Sequence, residues 1–280
     1  MSRAARLIGV PYDSGIRGWR MGAGPDCLLN SGLEDALRAA GHTMSSEHVE
    51  LPAGTTATEI AATFALAAQL ADRVRAARAD DALPIVLAGN CASAIGTLSG
   101  LDDPAPAILW LDAHADFNTP ETTRSGFLDG MALAIATGRC WTAMAATVPG
   151  FRTIPDANVC LIGPRDLDPA EADLLRASAA TVLSPADLPT RLGDTLDALR
   201  TRAGTVYLHI DLDVLDPSEG RANSFAAPGG LLLSQVLELI DTIRGRFQIG
   251  AVALTAYDPT CDPEGRIAAA SGAILNAVLS

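Results

Sequence analysis

Two short acidic segments hold the residues of this sequence that are best suited to chemistry. The first segment, DAHAD, carries Asp112, His114 and Asp116. The second segment, DLDVLDP, begins with Asp211 and Asp213. Because alternate residues of an extended chain share a face, the side chains of each segment can point the same way. Each segment therefore offers several oxygen or nitrogen donors from one side of the chain.

The chemistry of these donors predicts a metal site. Four carboxylates and an imidazole crowded together would repel one another and raise the carboxylate pKa values unless cations lay among them. Oxygen-rich ligation with one or two imidazoles suits Mn²⁺ or a similar ion, and two such ions would hold a hydroxide as nucleophile. Each segment alone has a simpler explanation, since a lone DxHxD is often a polar loop and Asp-Pro a turn. Together, each after an apolar run, they predict a binuclear site.

The surrounding sequence alternates short apolar runs with longer alanine- and leucine-rich stretches. This pattern predicts parallel strands buried on both faces, separated by helices. The predicted strands are 6–10, 84–87, 107–111, 158–162, 205–210 and 249–254, and the predicted helices are 25–40, 57–79, 130–137, 169–178, 234–244 and 265–278. We expect a single α/β domain over residues 1–280, with a doubly wound, mostly parallel sheet, helices on both faces and ligands at the carboxyl ends of the strands.

Composition narrows the class of protein. The 280 residues are 49% hydrophobic, which argues against disorder, and the net charge of −13 would repel nucleic acid and anionic membranes. No apolar run approaches the roughly 20 residues of a membrane span, and the first residues lack a signal peptide's apolar stretch. The five scattered cysteines include no CxxC pair, which fits reduced thiols. We therefore predict a cytoplasmic protein that binds a small molecule.

The two acidic segments resemble the signature segments of the arginase/agmatinase ureohydrolase family, whose members hydrolyse guanidino groups at a binuclear manganese centre. The resemblance continues through most of the chain. Residues 9–12 (GVPY) and 22–25 (GAGP) resemble the family's opening strand and loop, and residues 88–92 (AGNCA) stand where the family carries GGDHS. Glycine at that strand end would let the chain turn sharply. The resemblance implies an amidinohydrolase with two Mn²⁺ ions, assembled as a homotrimer or homohexamer.

The same resemblance implies a ligand set. Its members are Asp112 and Asp211 bridging both ions and holding the hydroxide, Cys91 and Asp116 completing one site, and His114 and Asp213 completing the other. The family's usual residue at position 91 is histidine. Cys91 could be inert in a site that has lost one metal, but a thiol beside divalent cations should ionise and bind. A thiolate would add one negative charge, weaken the ion as a Lewis acid and make its hydroxide more nucleophilic.

Residues after the first acidic segment resemble the arginase substrate loop. The resemblance implies that Asn118 and Ser125 hold the α-carboxylate of the substrate, and both side chains can donate hydrogen bonds. Ordinary turn chemistry is the alternative. By position, Asp168 would recognise the α-amino group, supported by Glu171, although Asp168-Pro169 also fits the start of a helix.

Two further positions depart from arginase. Asp129 stands where arginase has a histidine thought to shuttle protons, and a carboxylate could act there if its pKa were raised. Ala256 replaces the glutamate that pairs with guanidinium, and the loss of a charge-assisted hydrogen bond commonly costs about 1.5–3 kcal/mol.

These departures favour a substrate group less basic than guanidinium. The branch of the family that resembles this chain in size and in the cysteine acts in D-cycloserine biosynthesis. We therefore predict hydrolysis of Nω-hydroxy-L-arginine to L-ornithine and hydroxyurea. The alternatives are an arginase, another guanidino-acid amidinohydrolase, or a non-catalytic binding subunit. His209 precedes Asp211 on the same strand face and is either a hydrogen-bond donor to a ligand or a core residue.

Overall fold

A computed structural model describes residues 4–55 and 58–280 of the chain. Its strands are β1 (Ala4–Val10), β2 (Tyr12–Asp13), β3 (Ile16–Arg17), β4 (Thr43–His48), β5 (Leu83–Ala88), β6 (Ala107–Leu111), β7 (Val159–Ile162), β8 (Thr181–Leu183), β9 (Thr205–Asp211) and β10 (Gln248–Thr255). Its α-helices are α1 (Gly24–Asn30), α2 (Leu33–Ala39), α3 (Glu59–Ala79), α4 (Ser93–Gly100), α5 (Ala132–Ala136), α6 (Thr142–Ala145), α7 (Pro169–Arg176), α8 (Leu188–Arg200), α9 (Leu233–Arg244) and α10 (Arg266–Leu279).

Within these described ranges, eight strands form one parallel sheet in the order β4-β1-β5-β10-β9-β6-β7-β8. The predicted α/β fold with a parallel sheet is therefore confirmed. The central strands are apolar because both of their faces are covered, and the side chains of β5 and β6 are buried along their whole length. A parallel sheet places all carboxyl ends at one edge, so the loops after β5, β10, β9 and β6 meet there.

Two hydrophobic cores cover the sheet, one on each face. The first includes Leu87, Leu109, Leu208 and Leu254 together with side chains of α9 and α10. The second includes Val86, Trp110 and Tyr207 together with side chains of α3 and α4. Because side chains alternate along a strand, each central strand contributes to both cores.

All six predicted strands are present, with ends that differ by at most two residues from the prediction. The predicted helix 25–40 is wrong as one element, since it divides into α1 and α2 at Gly32, whose φ is 84°. A left-handed residue ends the α-helical pattern. Predicted helix 57–79 is observed as α3 from Glu59, and residue 57 lies outside the described residues. Across the described part of the chain, no helix combines the length and apolarity needed to cross a membrane.

Candidate metal and substrate site

Both acidic segments lie at the carboxyl ends of adjacent central strands. Asp112 follows β6 and Asp211 ends β9, and the two strands are paired directly. Cys91 lies three residues beyond β5, while Thr255 is the last residue of β10 between them. Four neighbouring strands therefore bring their ends to one point on the edge of the sheet.

The clustering arises from turns rather than from the extended chain that the alternation argument assumed. The Asp112 carboxylate accepts the backbone N–H of His114 at 2.7 Å, and the Asp211 carboxylate accepts that of Asp213 at 2.8 Å. Residues 212–214 form a 3₁₀ turn. Each leading aspartate thus closes a turn on the residue two positions later, which directs the following side chain back toward the cluster.

His114 is brought between two carboxylates from different strands. Its Nδ1 atom lies 3.3 Å from Asp112 Oδ1 and 3.4 Å from Asp213 Oδ2. These three side chains offer donor atoms within 4.8 Å of one another, a spacing that a metal ion could satisfy. Asp213 Oδ2 also accepts a hydrogen bond from Asn223 Nδ2 at 3.2 Å. The structure therefore brings these three predicted residues together, and their roles as ligands stay predictions.

Cys91 places its sulfur on the other side of the cluster. The thiol donates to Asp211 Oδ2 at 3.1 Å, and its sulfur lies 3.2 Å from Thr255 Oγ1. Burial and then the charge of Asp211 raise the pKa of this thiol well above its usual value. Cys91 is only 2% exposed, so the sulfur faces the cluster and not solvent.

Asp116 provides an independent indication that this cluster can hold a cation. Its backbone has φ 49°, a left-handed conformation that L residues adopt rarely, and its carbonyl accepts the N–H groups of Leu133 and Ala134. Its carboxylate atom Oδ2 is buried with no hydrogen-bond partner. Since buried polar atoms are almost always paired, this aspartate is held in a strained turn with a donor atom ready for a ligand.

The electrostatics of the cluster also fit cations. Burial followed by the charge of Asp213 raises the pKa of Asp112 to about 6, and burial with neighbouring charges raises those of Asp116 and Asp211 well above their usual range. Burial lowers the pKa of His114. The hydrogen bond to Asp112 and the charge of Asp213 raise this pKa by a larger amount, so that it reaches about 9. Without bound cations, carboxylates of the cluster would have to take up protons and so lose their negative charge.

A cleft of about 260 Å³ opens beside the cluster. Predicted site residues that line it are Cys91, His114, Asp116, Asn118, Ser125, Asp129, Asp168, Glu171, Asp211, Asp213 and Ala256. Asp112 lies behind His114, where its second oxygen accepts the Trp110 indole N–H at 3.0 Å. The site residues proposed from sequence thus surround one cavity.

The loop after the first acidic segment forms one wall of the cleft. Asn118 Oδ1 accepts the Thr122 hydroxyl at 2.9 Å, which orients the amide and leaves its Nδ2 group as a donor toward a ligand. The Ser125 hydroxyl accepts the Phe127 N–H at 3.1 Å. Both hydrogen bonds belong to turn chemistry, so the structural and the substrate-binding interpretations are compatible.

Asp168 and Glu171 have different environments. Glu171 is buried, and its two oxygens accept the N–H groups of Phe117 at 2.9 Å and Asp168 at 3.2 Å, which joins helix α7 to the acidic segment. Asp168 is partly exposed at the start of that helix, and Arg124 Nε approaches its Oδ1 to 3.7 Å. Asp168 therefore lines the cleft within reach of a ligand, whereas Glu171 holds the wall.

Asp129 is fixed by its neighbours. Its carboxylate accepts the Ala92 N–H and the Asn90 Nδ2 group, each at 2.9 Å. Burial raises the pKa of Asp129 to about 8. The hydrogen bond from Ala92 lowers this pKa, and the charge of Asp13 raises it. Both oxygens of Asp129 accept hydrogen bonds from the Cys91 loop, so this carboxyl helps to hold the loop in place. Its role as a proton carrier stays a prediction.

Sequence reasoning missed several residues of the cleft. Asn223 is buried and donates to Asp213 and to the Ala256 carbonyl at 2.9 Å. Phe127 and Phe225 stack with ring centroids 6.0 Å apart at the mouth, and both line the cleft. Asn223 and Phe225 belong to a loop after β9, and the polar composition of residues 217–230 gives no signal for which residue turns inward.

The fold and the acidic cluster at its strand ends define a hydrolase of the α/β class. The chain belongs to the Arginase family, whose sequence profile matches residues 3–279. Its members are ureohydrolases that act on guanidino compounds with two metal ions. Family membership, predicted from the two acidic segments, is therefore confirmed.

Individual relatives agree with this assignment. The chain is 28% identical to an arginase of Brucella melitensis over 94% of its own length and 92% of the relative. It is 33% identical to an N(omega)-hydroxy-L-arginine amidinohydrolase of Streptomyces lavendulae over 66% of this chain and 64% of the relative. The structure of arginase from Bacillus subtilis superposes with a TM-score of 0.89 at 25% identity, covering 99% of both chains.

Proposed function

We propose that this protein hydrolyses Nω-hydroxy-L-arginine with water to L-ornithine and hydroxyurea, as a cytoplasmic enzyme of D-cycloserine biosynthesis. The observation that carries the proposal is the sulfur of Cys91 within the acidic cluster, 3.1 Å from Asp211. As a thiolate this residue would add a negative charge where the family usually has a neutral imidazole. The similarity to the Streptomyces lavendulae amidinohydrolase supports the same substrate.

The floor of the cleft also favours a neutral substrate group. At the position of the guanidinium-pairing glutamate stands Ala256, whose carbonyl accepts the Asn223 amide. Without that carboxylate, a guanidinium loses a charge-assisted hydrogen bond worth about 1.5–3 kcal/mol. An N-hydroxyguanidine is less basic than a guanidine and can bind in its neutral form. The missing carboxylate therefore costs it less binding free energy.

The donor set fits two divalent metal ions, held by Cys91, Asp112, His114, Asp116, Asp211 and Asp213. When bound, such ions lower the pKa of a water molecule so that it can attack at neutral pH. Mn²⁺ is the ion we expect, because carboxylate oxygens dominate the set. The protein's own contribution is to orient the carboxylates, which the N–H groups of His114 and Asp213 and the indole of Trp110 accomplish.

The far end of the cleft can hold the amino-acid part of the substrate. Asn118 and Ser125 would donate to the α-carboxylate, and Asp168 would pair with the α-amino group. Arg124 lies 3.7 Å from Asp168 and brings a positive charge to the same end. A zwitterion would therefore find donors for its carboxylate and an acceptor for its ammonium group at this end of the cleft, whereas agmatine would leave the carboxylate donors unused.

The decisive experiment compares kcat/KM of the Mn²⁺-loaded protein for Nω-hydroxy-L-arginine, L-arginine, agmatine and guanidinobutyrate. We expect the first to exceed the others, with ornithine and hydroxyurea formed in equal amounts. A preference for agmatine would contradict the roles of Asn118 and Ser125. A protein that binds no metal and turns over none of the four would be a binding subunit.

An arginase is the second candidate function. The Brucella and Bacillus relatives named above are arginases, and this similarity extends over more of the chain than that to the hydroxyarginine enzyme. A higher kcat/KM for L-arginine in the same comparison would establish it.

A further inference from the structure

His209 is completely buried beside the acidic cluster, where a nitrogen of its ring lies within 4.8 Å of donor atoms of Cys91 and Asp112. Its imidazole stacks on the indole of Trp110, which is its partner in the register of β9 and β6, with ring centroids 3.5 Å apart and planes 5° apart. Such a close parallel contact fixes the plane of the imidazole. The directions of its two nitrogen atoms are therefore fixed as well.

Each ring nitrogen of His209 contacts a hydroxyl group. Nδ1 lies 2.8 Å from the hydroxyl of Tyr207, and Nε2 lies 3.3 Å from Thr255 Oγ1. Thr255 Oγ1 in turn lies 3.2 Å from the sulfur of Cys91. Three side chains thus connect the sulfur to the interior through consecutive hydrogen bonds, and we call Tyr207, His209 and Thr255 the hydroxyl–imidazole relay.

The relay has one direction that suits a sulfur ligand. If the Tyr207 hydroxyl donates to Nδ1, then Nε2–H donates to Thr255 Oγ1, and the Thr255 hydroxyl donates to Cys91 Sγ. A neutral imidazole has one donor and one acceptor nitrogen, so this direction satisfies both ring nitrogens. The Thr255 hydroxyl then donates to the sulfur at 3.2 Å, which is nearer than the Ile210 carbonyl at 3.5 Å. The reverse direction needs a proton on the sulfur, which a metal-bound thiolate does not carry.

We propose that the hydroxyl–imidazole relay positions the Cys91 sulfur as a metal ligand and offsets the charge that this sulfur adds. A hydrogen bond to a ligating atom fixes its orientation and tunes its donor strength. The relay therefore compensates within the protein for the exchange of imidazole for thiolate. This inference rests on the proposed role of Cys91 as a ligand, and Tyr207, His209 and Thr255 act as positioning residues without touching the substrate.

The relay is tested in the Co²⁺-loaded protein, where a thiolate ligand gives a sulfur-to-cobalt charge-transfer band in the near ultraviolet. Thr255→Val removes the hydroxyl with little change of shape. Because the sulfur loses its hydrogen bond and becomes a stronger electron donor, we expect the band to move to longer wavelength. We also expect Co²⁺ affinity to fall about 10- to 100-fold.

Further variants separate positioning from general damage. Thr255→Ser restores a hydroxyl and should return the charge-transfer band to its wild-type wavelength. His209→Phe, which keeps an aromatic ring against Trp110, should shift the band to longer wavelength as Thr255→Val does. Ser271→Ala, which deletes a fully buried hydroxyl bonded to Ile267 in helix α10, should leave the band unchanged.

The outcomes also separate this inference from the proposed function. If the wild-type protein and Cys91→Ser have the same spectrum, Cys91 is not a ligand and the proposed chemistry fails. If the wild-type band is present but Thr255→Val and His209→Phe leave both band and affinity unchanged, Cys91 remains a ligand and the relay is wrong. Far-ultraviolet circular dichroism identifies any variant that has lost its fold, and Thr255→Val then decides.

Discussion

Two positions in this cleft, Cys91 and Ala256, differ in charge from the residues that arginases carry there. The first contributes an ionisable sulfur to the cluster, and the second contributes a backbone carbonyl where arginases have a carboxylate side chain. Ala256 is held at φ 61° at the end of β10, and its N–H donates to the Ala88 carbonyl of β5. Its side chain therefore stands at a fixed place on the floor, where a longer residue would enter the cleft.

The first prediction concerns that position. Ala256→Glu should raise the ratio of kcat/KM for L-arginine to that for Nω-hydroxy-L-arginine by about 10-fold or more, because the new carboxylate pairs with the guanidinium. The matched control is Ala256→Gln, which adds the same volume without charge and should leave the ratio low. Equal ratios in the two variants would show that the charge of the floor does not select the substrate.

A second prediction tests the sulfur in the same way. Cys91→His restores the family's usual residue and removes the negative charge of a thiolate. Without the charge of the thiolate, the two metal ions should favour the more basic substrate. The activity on L-arginine relative to that on Nω-hydroxy-L-arginine should therefore rise. Parallel initial-rate measurements on both substrates check this, and an unchanged ratio would contradict the charge-based interpretation of Cys91.

At the residue scale the sequence predicted which types meet, but not how each is held. The two acidic segments, each after an apolar run, predicted one metal site, and the family resemblance implied that His114 and Asp213 lie together in it. The sequence could not show that Asp129 is occupied by Asn90 and Ala92, because those contacts join residues 37 and 39 positions apart. Asn223 was missed for a related reason, since its partner Ala256 belongs to another strand end.

At the scale of elements, the loop after β5 determines where Cys91 lies. Gly89 does not have a left-handed backbone, so the sharp turn expected there is not why glycine is needed. A Cβ at this position would lie 2.3 Å from the Tyr12 carbonyl oxygen and 2.8 Å from Gly22. Glycine is required because two backbone segments pass in contact, which brings the Cys91 loop under the opening loop of the chain.

We therefore expect Gly89→Ala to destabilise the protein by about 1–3 kcal/mol through overpacking, and to lower metal affinity because the Cys91 loop shifts. Thermal unfolding and metal titration measure the two effects. The matched control is Gly204→Ala before β9, where a Cβ meets nothing within 4 Å. Equal unfolding temperatures for the two variants would show that the loop has room to relax.

Two of the elements that the sequence analysis did not predict, α4 and β4, share a physical cause. Helix α4 was missed because Gly96 and Gly100 have low helix propensity, yet a Cβ at either position would lie 2.5 Å from a carbonyl oxygen of α3. Strand β4 lies at the edge of the sheet, so its sequence TMSSEH lacks the apolar run of a central strand. Tertiary packing, and not local preference, specifies both elements.

For the whole molecule, the acidic cluster makes stability depend on pH and metal. Burial raises the pKa of Asp112 to about 6 and that of Asp129 to about 8, and neighbouring carboxylates raise that of His114 to about 9. In each case the folded state binds protons more tightly than the unfolded state. The stability that these protons provide is lost as pH rises through those values.

The metal-free protein should therefore unfold at a lower temperature at pH 8 than at pH 6. Since bound cations replace the protons, the gap in Tm between metal-loaded and chelated protein should widen over the same interval. A widening of about 3 °C corresponds to roughly 1 kcal/mol for a chain of this size. Differential scanning calorimetry with and without chelator checks this, and a constant gap would mean that cations do not neutralise the cluster.

The position of β10 has a consequence for how the protein is made. Among the described residues this strand, at 248–255, follows every other strand of the sheet in sequence, yet it lies in the middle of the sheet and joins β5 to β9. Until it is inserted, the nascent chain holds two separate blocks of strands, with Cys91 on one and both Asp112 and Asp211 on the other. If Cys91 and these aspartates bind metal together, the complete site can form only after β10 has joined the two blocks.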